Sequence, residues 1–483
     1  MTQVANNIIA NSGVKFGTSG ARGLVEKFTH QVCAAFTAAF INAIRQDFKF
    51  DRISIAIDRR PSSPQMAAAC YAAAKQLGLD VDYFGVLPTP ALAYQSLTTQ
   101  QPAIMITGSH IPFDRNGIKF YRPDGEITKQ DEQRIMAASV ELPNTQNQPT
   151  LPNANQQAET HYIERNRNLV SANLLQGKRV GIYQHSSAGR DLYSKLFSQL
   201  GAKVIPLGRS EQFVPIDTEA VRQEDVEQGK IWSKSKNLDF LFSTDGDGDR
   251  PLIADETGQW LRGDIVGLLT ARFLKVDALA IPVSCNTAIE ASGVFKDILR
   301  TQIGSPYVIE GMQQLSQTHT RIAGFEANGG FLLGSDIEFN GQTLSALPTR
   351  DALLPVIALI AASIQNQQPL SQIVVGLPQR CTASNRIQNF ATEKSKQLIQ
   401  AWSNAPQQAL KELGLDNKTL INQDQTDGLR WTFDDQTIVH LRPSGNAPEL
   451  RCYTEAESEQ VANVILSQVL TILNNLNQGS EKL

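Results

Sequence analysis

Cysteine is sparse in this chain of 483 residues, and what there is does not pair: Cys33, Cys70, Cys285, Cys381 and Cys452 are odd in number, scattered and free of Cys-x-x-Cys spacing. That excludes a disulfide scaffold and a zinc ribbon and predicts reduced thiols in a cytoplasmic protein. Charge of one sign is lacking too. The formal net charge is −4 with no long basic stripe, which gives no sign of a nucleic-acid partner. No apolar run approaches the length of a membrane span. The start, Met1-Thr-Gln-Val-Ala-Asn-Asn, has no basic segment followed by an apolar one, so no signal peptide is expected. What remains is an ordinary soluble composition, 41% hydrophobic and 19% charged, long enough for several domains.

One run stands out against that background. Ser243-Thr-Asp-Gly-Asp-Gly-Asp-Arg250 alternates three carboxylates, Asp245, Asp247 and Asp249, with glycine and ends on an arginine. A tight backbone that aims three hard oxygen ligands at one point suits Mg²⁺ or Ca²⁺. Arg250 beside them suits a phosphate. An EF-hand is the first alternative, since Glu256 falls at the twelfth place; but Arg250 stands where that loop needs glycine, and Leu238–Phe242 before it and Pro251–Ala254 after it read as strands. A solvated acidic turn is the second.

The chain alternates strand and helix signals. Strands are predicted at Ile53–Ile57 and Ala103–Ile106 with a helix from Ser62 to Leu77, then at Arg179–Tyr183 and Lys203–Pro206 around a helix from Gly189 to Leu200. A third unit has a helix from Gly263 to Leu274 and strands at Ala278–Val283 and Arg321–Phe325. A last one has strands at Thr437–Leu441 and Leu450–Tyr453 and a helix from Glu457 to Leu476, followed by a tail, Asn477–Leu483, expected to be disordered. The polar, Pro-punctuated stretch Leu142–Gln157 reads as a linker or a long surface loop, and Gln365–Pro369 as a further break. The layout is α/β, with three similar units at 1–150, 151–257 and 258–370 and a different one at 371–483.

Three more loops carry chemistry. Thr107-Gly-Ser-His-Ile-Pro-Phe-Asp-Arg-Asn-Gly-Ile-Lys119 leaves a buried strand; Gly108 is expected to free the backbone ahead of Ser109, a nucleophile candidate, with His110 and Lys119 for protons or charge. A capping serine and solvated neighbours explain the same loop without chemistry. Gly324-Phe-Glu-Ala-Asn-Gly-Gly330 presents Glu326 and Asn328, a carboxylate and an amide suited to sugar hydroxyls, or forms a plain Gly-rich hairpin. Arg442-Pro-Ser-Gly-Asn446 has the parts of a phosphate cradle in Arg442, Ser444 and Asn446. Gln184–Arg190 could seat an anion at a helix start, but reads better as a cap.

Together with Phe16-Gly-Thr-Ser-Gly-Ala-Arg-Gly23 and Asn116–Lys119, these loops resemble, in order and spacing over essentially the whole chain, the α-D-phosphohexomutase superfamily of phosphomannomutases and phosphoglucomutases. The resemblance implies a heart-shaped, four-domain α/β molecule, with three similar mixed-sheet domains, a distinct α+β C-terminal domain, and one loop from each at a central cleft. It implies that Ser109 carries a phosphoryl group, that Asp245, Asp247 and Asp249 hold Mg²⁺ with the Ser109 phosphate, and that Arg22 and Lys119 handle protons and charge. Glu326 and Asn328 would read the sugar, and Arg442, Ser444 and Asn446 the distal phosphate. The implied reaction interconverts hexose 6- and 1-phosphates through a hexose 1,6-bisphosphate, in a monomer or weak dimer with no nucleic-acid or membrane partner, the C-terminal domain moving about the joint near Gln365–Gly376.

The chain departs from the pattern at Ile111, where the family has Asn; at Asn328 and Gly330, where it has Ser and, in many members, His; at Asn446-Ala447, where it has Thr-Glu; and in lacking a His near Ile303–Ser305 that some bifunctional members carry. These departures bear on substrate more than on chemistry. The Glu-Ala-Asn-Gly-Gly and Arg-Pro-Ser-Gly-Asn-Ala-Pro variants are most similar to bacterial phosphomannomutases, which ranks mannose phosphate first, glucose phosphate second and glucosamine phosphate third. A metal-dependent sugar phosphatase using Ser109 is the rival from another class.

Overall fold

The computed structural model describes residues 4–17, 20–142, 150–444 and 448–479. The chain separates into two compact units. One comprises residues up to Leu279 together with Gly304–Ile373, and the other Ala280–Ile303 together with the chain from Val374 onward.

The first unit opens with a seven-stranded mixed sheet. Asp80–Val86, Arg52–Ile57 and Ala103–Ile106 run parallel, and Arg115–Arg122 and Ala21–Leu24 continue antiparallel. The inner parallel strands Arg52–Ile57 and Ala103–Ile106 are buried almost throughout because helices cover them, while the edge strand Asp80–Val86 is partly exposed. Helix His30–Ile44 starts at Thr29, whose Oγ1 accepts from the Val32 amide, and lays Phe36 and Phe40 on Phe120. Helix Ser63–Gln76, nearly all Ala on its inner side, packs as closely as small side chains allow. Of the stretch Leu142–Gln157, residues 143–149 lie outside the described residues and 150–156 form neither helix nor strand; the Asn155 amide donates to Tyr83 O at 2.8 Å.

Next comes a four-stranded sheet in the order Pro251–Ala254, Phe240–Thr244, Arg179–Tyr183, Lys203–Leu207. The acidic run is therefore the tip of an antiparallel hairpin between Phe240–Thr244 and Pro251–Ala254, not a loop between helices, which removes the EF-hand alternative. Gln184–Arg190 leads into helix Arg190–Gln199 without the expected side-chain cap: the N-cap is Gly189, whose amide donates back to Ser187 Oγ at 3.3 Å. The unit closes with Ile322–Phe325, Phe331–Leu333 and Leu347–Asp351, all antiparallel, under helices Gly263–Phe273 and Leu353–Gln365.

The second unit is built on a five-stranded antiparallel sheet in the order Cys381–Gln388, Glu449–Ala456, Ile438–Pro443, Leu429–Phe433, Leu420–Asp424. Trp431, Phe390, Leu441 and Val469 fill its core. Ala280–Ile303 belongs here through polar bonds. Glu455 takes the Thr287 amide and hydroxyl and Arg380 Nε, Asn286 Nδ2 donates to Arg380 O at 2.8 Å, and the Ile303 amide donates to Asp427 Oδ2 at 2.9 Å. The last helix, Glu459–Gly479, runs past the expected end into the segment expected to be disordered; its apolar face, with Ile465, Val469 and Leu473, keeps it docked. Among the described residues no helix is long and apolar enough to cross a membrane.

Candidate active site

Ser109, His110, Arg22, Lys119, the three aspartates, Arg250, Glu326 and Asn328 all lie in the first unit. Ser109 follows the buried strand Ala103–Ile106 and takes a left-handed conformation, φ 52°. A non-glycine residue there needs support. The support is Asp58 and Arg60, which follow strand Arg52–Ile57. Asp58 Oδ2 accepts from Thr107 Oγ1 at 2.8 Å and the Gly108 amide at 3.3 Å, and Thr107 Oγ1 accepts the Ser109 amide at 2.8 Å. The buried Arg60 guanidinium donates to the carbonyls of Ser109, Ile111, Pro112 and Arg115, at 2.5–2.9 Å, and lies 4.0 Å from the Phe213 ring centroid. This corrects the expected role of Gly108. Its φ is not left-handed, but a Cβ there would stand 2.5 Å from Arg60 Cζ. The glycine makes room for the arginine, and the serine bears the backbone strain.

The hairpin tip is pressed against this loop. A Cβ on Gly246 would meet Ser109 O at 2.8 Å, and one on Gly248, φ +72°, would meet Tyr193 Oη at 2.4 Å. The alternation of glycine with aspartate is thus what lets the acidic tip approach the serine. Ser109 Oγ donates to Asp245 Oδ2 at 2.6 Å and lies 3.3 Å from His110 Nδ1.

The three carboxylates are buried and offer one oxygen each within 4.8 Å of one another. Their outer oxygens are taken. Lys119 Nζ donates to Asp247 Oδ2 at 2.6 Å and Asp249 Oδ2 at 2.8 Å, Thr89 Oγ1 to Asp247 Oδ2 at 2.7 Å, and Arg350 Nε to Asp249 Oδ2 at 3.0 Å. Asp247 Oδ1 and Asp249 Oδ1 are buried and accept no hydrogen bond. A buried carboxylate oxygen without a donor is costly. Two of them facing a third carboxylate fit a hard divalent cation such as Mg²⁺. Beside them the Arg250 Nε–H is buried with no hydrogen-bond acceptor, Asp249 Oδ1 standing 3.7 Å away, which fits an anionic oxygen.

Charge divides the three acids. Burial pushes the Asp245 carboxyl well up, and the charges of Asp247 and Asp249 add to it. Burial acts the same way on Asp247, but the Lys119 ammonium outweighs it and holds Asp247 well below the usual range. Arg350 and Lys119 do the same for Asp249. Lys119 in turn is raised, the two carboxylates overriding its burial, so it stays an ammonium. Arg22, on strand Ala21–Leu24, is lowered to about 10 by burial and by the charges of Arg250 and Arg350. His110 is lowered to about 3 by the adjacent Arg250 and by burial. It is therefore neutral at neutral pH, its Nδ1 accepting from Arg250 Nη1 at 2.9 Å.

Glu326 and Asn328 occupy the turn between Ile322–Phe325 and Phe331–Leu333. Glu326 Oε2 accepts from Arg350 Nη1 at 3.1 Å. Asn328 Oδ1 accepts the Gly330 amide at 3.0 Å, so that side chain also builds the turn. Arg442 and Ser444 are in the second unit. Arg442 Nε donates to Asp427 Oδ2 at 2.7 Å, and the Ser444 amide to Glu449 O at 2.8 Å. Asn446 lies outside the described residues. Asp58, Arg60, Thr89 and Arg350 were not singled out from the sequence; the only sign of the first two is a run of charge, Asp58-Arg-Arg60, at the end of a buried strand.

A hairpin of three aspartates against a strained serine, in serial α/β sheets, has the groups that phosphoryl transfer needs, and comparison with known proteins gives the family. Phosphoglucomutase/phosphomannomutase domains I, II, III and C-terminal match residues 13–144, 160–258, 262–381 and 381–472 in order. The chain belongs to the phosphoglucomutase/phosphomannomutase family. It is 53% identical over 467 residues to a phosphomannomutase of Salmonella muenchen, covering 96% of both chains, and 42% identical to a phosphomannomutase of Sinorhizobium fredii, covering 96% of this chain and 99% of that one. In fold it is similar to a putative phosphomannomutase structure from Thermus thermophilus, with a TM-score of 0.75 at 18% identity over 98% of this chain and 100% of the other.

Proposed function

We propose that this chain is a phosphohexomutase that interconverts mannose 6-phosphate and mannose 1-phosphate through phosphorylated Ser109 and a mannose 1,6-bisphosphate. The observation that carries the reading is the set of unmet demands around Ser109 Oγ: two buried carboxylate oxygens without a donor and a buried Arg250 N–H without an acceptor. A divalent cation and a phosphoryl group together answer all three. The preference for mannose rests on the 53% and 42% identical phosphomannomutases.

In the first half-reaction a sugar hydroxyl attacks the phosphorus on Ser109; the new O–P bond forms as the Oγ–P bond breaks, and the hydroxyl proton leaves to a base. The second half-reaction runs in reverse at the other end of the turned sugar, so Ser109 recovers its phosphate. Phosphoryl transfer of this kind depends on positioning and charge. Asp245, Asp247 and Asp249 would hold Mg²⁺, which when bound polarises the transferring group. Arg250 and Lys119 place permanent positive charge beside the transferring oxygens. Arg22, whose proton is loosened by burial and by its cationic neighbours, handles the hydroxyl proton, while neutral His110 orients Arg250. Arg442, Ser444 and Asn446 take the non-reacting phosphate, and Glu326 the sugar hydroxyls.

A coupled assay with mannose, glucose and glucosamine 1-phosphates tests this. Mannose 1-phosphate is expected to give the highest kcat/KM, EDTA to abolish turnover and Mg²⁺ to restore it. Release of inorganic phosphate instead of mutase product would favour the phosphatase alternative.

A further inference from the structure

Arg350 lies at the end of strand Leu347–Asp351, away from every recognised loop, yet its guanidinium spans two of them. Nε and Nη2 grip Asp249 Oδ2 at 3.0 and 2.9 Å, and Nη1 donates to Glu326 Oε2 at 3.1 Å. The residue is 3% exposed, so this grip is not screened by water. Its path is prepared by glycine: a Cβ on Gly330 would stand 2.6 Å from Arg350 Cδ and 2.7 Å from Cγ. Any side chain at position 330 would displace the arginine. Thr349 beside it is fixed by donating to Glu126 Oε1 at 2.6 Å.

We propose that Arg350 is a positioning and specificity-determining residue that ties the sugar-reading carboxylate of Glu326 to the metal-ligating Asp249, and that Gly330 is glycine to admit it. The proposal rests on the functional reading above. One fork serves opposite ends. Held at Oε2, the Glu326 carboxylate is fixed in place as the group that reads the sugar. At Asp249 the same cation partly neutralises the acid cluster. Asp249 stays oriented without it, because Lys119 holds the same oxygen at 2.8 Å.

Loss of Arg350 therefore has effects of opposite sign on the two ligands, which loss of mere structural support does not. Mannose 6-phosphate binding is measured by calorimetry and Mn²⁺ binding by electron paramagnetic resonance, on wild type, Arg350→Met, Arg350→Lys and Gly330→Ala, each checked for a native thermal transition. Arg350→Met is expected to bind mannose 6-phosphate about tenfold more weakly, as for a lost charge-assisted bond. It is expected to bind Mn²⁺ about tenfold more tightly at low salt, as for removal of a buried neighbouring cation. Arg350→Lys keeps the charge but not the fork, so Mn²⁺ affinity stays near wild type while the sugar loss persists. Gly330→Ala, with Arg350 intact but displaced, shows the sugar loss too. Parallel weakening of both ligands in Arg350→Met, or unchanged sugar affinity in a folded variant, overturns the proposal. A wild type that binds Mn²⁺ but no hexose phosphate overturns the functional reading on which it rests.

Discussion

At the scale of the residue, a few buried arginines do work that surface arginines do not. Arg60 satisfies four backbone carbonyls of the serine loop at once, and no other side chain has the donors to replace it. Arg60→Ala leaves those carbonyls without their donor and Asp58 buried without the cation that stands 3.3 Å from its Oδ2. It is expected to lower stability by about 3 kcal/mol, the order for breaking a buried charged network. Activity falls further than stability, because the left-handed Ser109 loses its support. Thermal denaturation alongside kcat at a temperature where both proteins are folded measures the two losses separately. Arg60 was not legible in the sequence. Nothing in Asp58-Arg-Arg60 says which arginine turns inward, since that is decided by the gap over Gly108 and by Phe213, more than 150 positions along the chain. The aspartates and Ser109 were legible because their chemistry is written in consecutive residues.

At the scale of the element, strands and helices came close to expectation wherever the apolar pattern was continuous. Phe240–Thr244 and Pro251–Ala254 are strands because their side chains are buried on both faces, and the tip between them is packed so closely that a side chain at Gly246 or Gly248 would clash. Two expectations failed at places where local composition and tertiary contact disagree. Of the polar tail expected to be disordered, residues 477–479 continue the helix Glu459–Gly479 because the apolar stripe behind it is already docked, and residues 480–483 lie outside the described ones. Gly108 was expected to free the backbone ahead of Ser109 and instead makes room for a guanidinium. The antiparallel hairpin carrying Glu326 and Asn328 has the hydrogen bonds of a turn, Asn328 Oδ1 accepting from the Gly330 amide, while Glu326 accepts from Arg350; both features are compatible with the proposed sugar-reading role.

At the scale of the whole molecule, each unit buries a histidine in neutral form. His185 in the first unit and His440 in the second are both lowered to about 4 by burial, each with a ring nitrogen bonded to a backbone carbonyl, Thr244 O and Asp427 O. Their ordinary value is 6.5. The unfolded chain therefore binds more protons than the folded one between those values, so stability is full above about 6.5 and falls as pH drops toward 4. Each histidine is expected to cost about 2 kcal/mol by pH 5, from the size of its shift. Tm should drop between pH 7 and pH 5, and His440→Gln should reduce that drop. A pH-independent Tm over this range would contradict the burial of these rings as neutral groups.

The central claim is that Ser109 carries the phosphoryl group, and intact mass tests it most directly. Incubation with mannose 1,6-bisphosphate and Mg²⁺ is expected to add a single phosphate that maps to Ser109. Subsequent mannose 6-phosphate should discharge it as bisphosphate, and Ser109→Ala should neither gain the mass nor turn over beyond about a thousandth of the wild-type rate, the order of loss for a deleted nucleophile. A Ser109→Ala protein that interconverts the mannose phosphates at a near-normal rate, or a phosphate that maps to another residue, would contradict it.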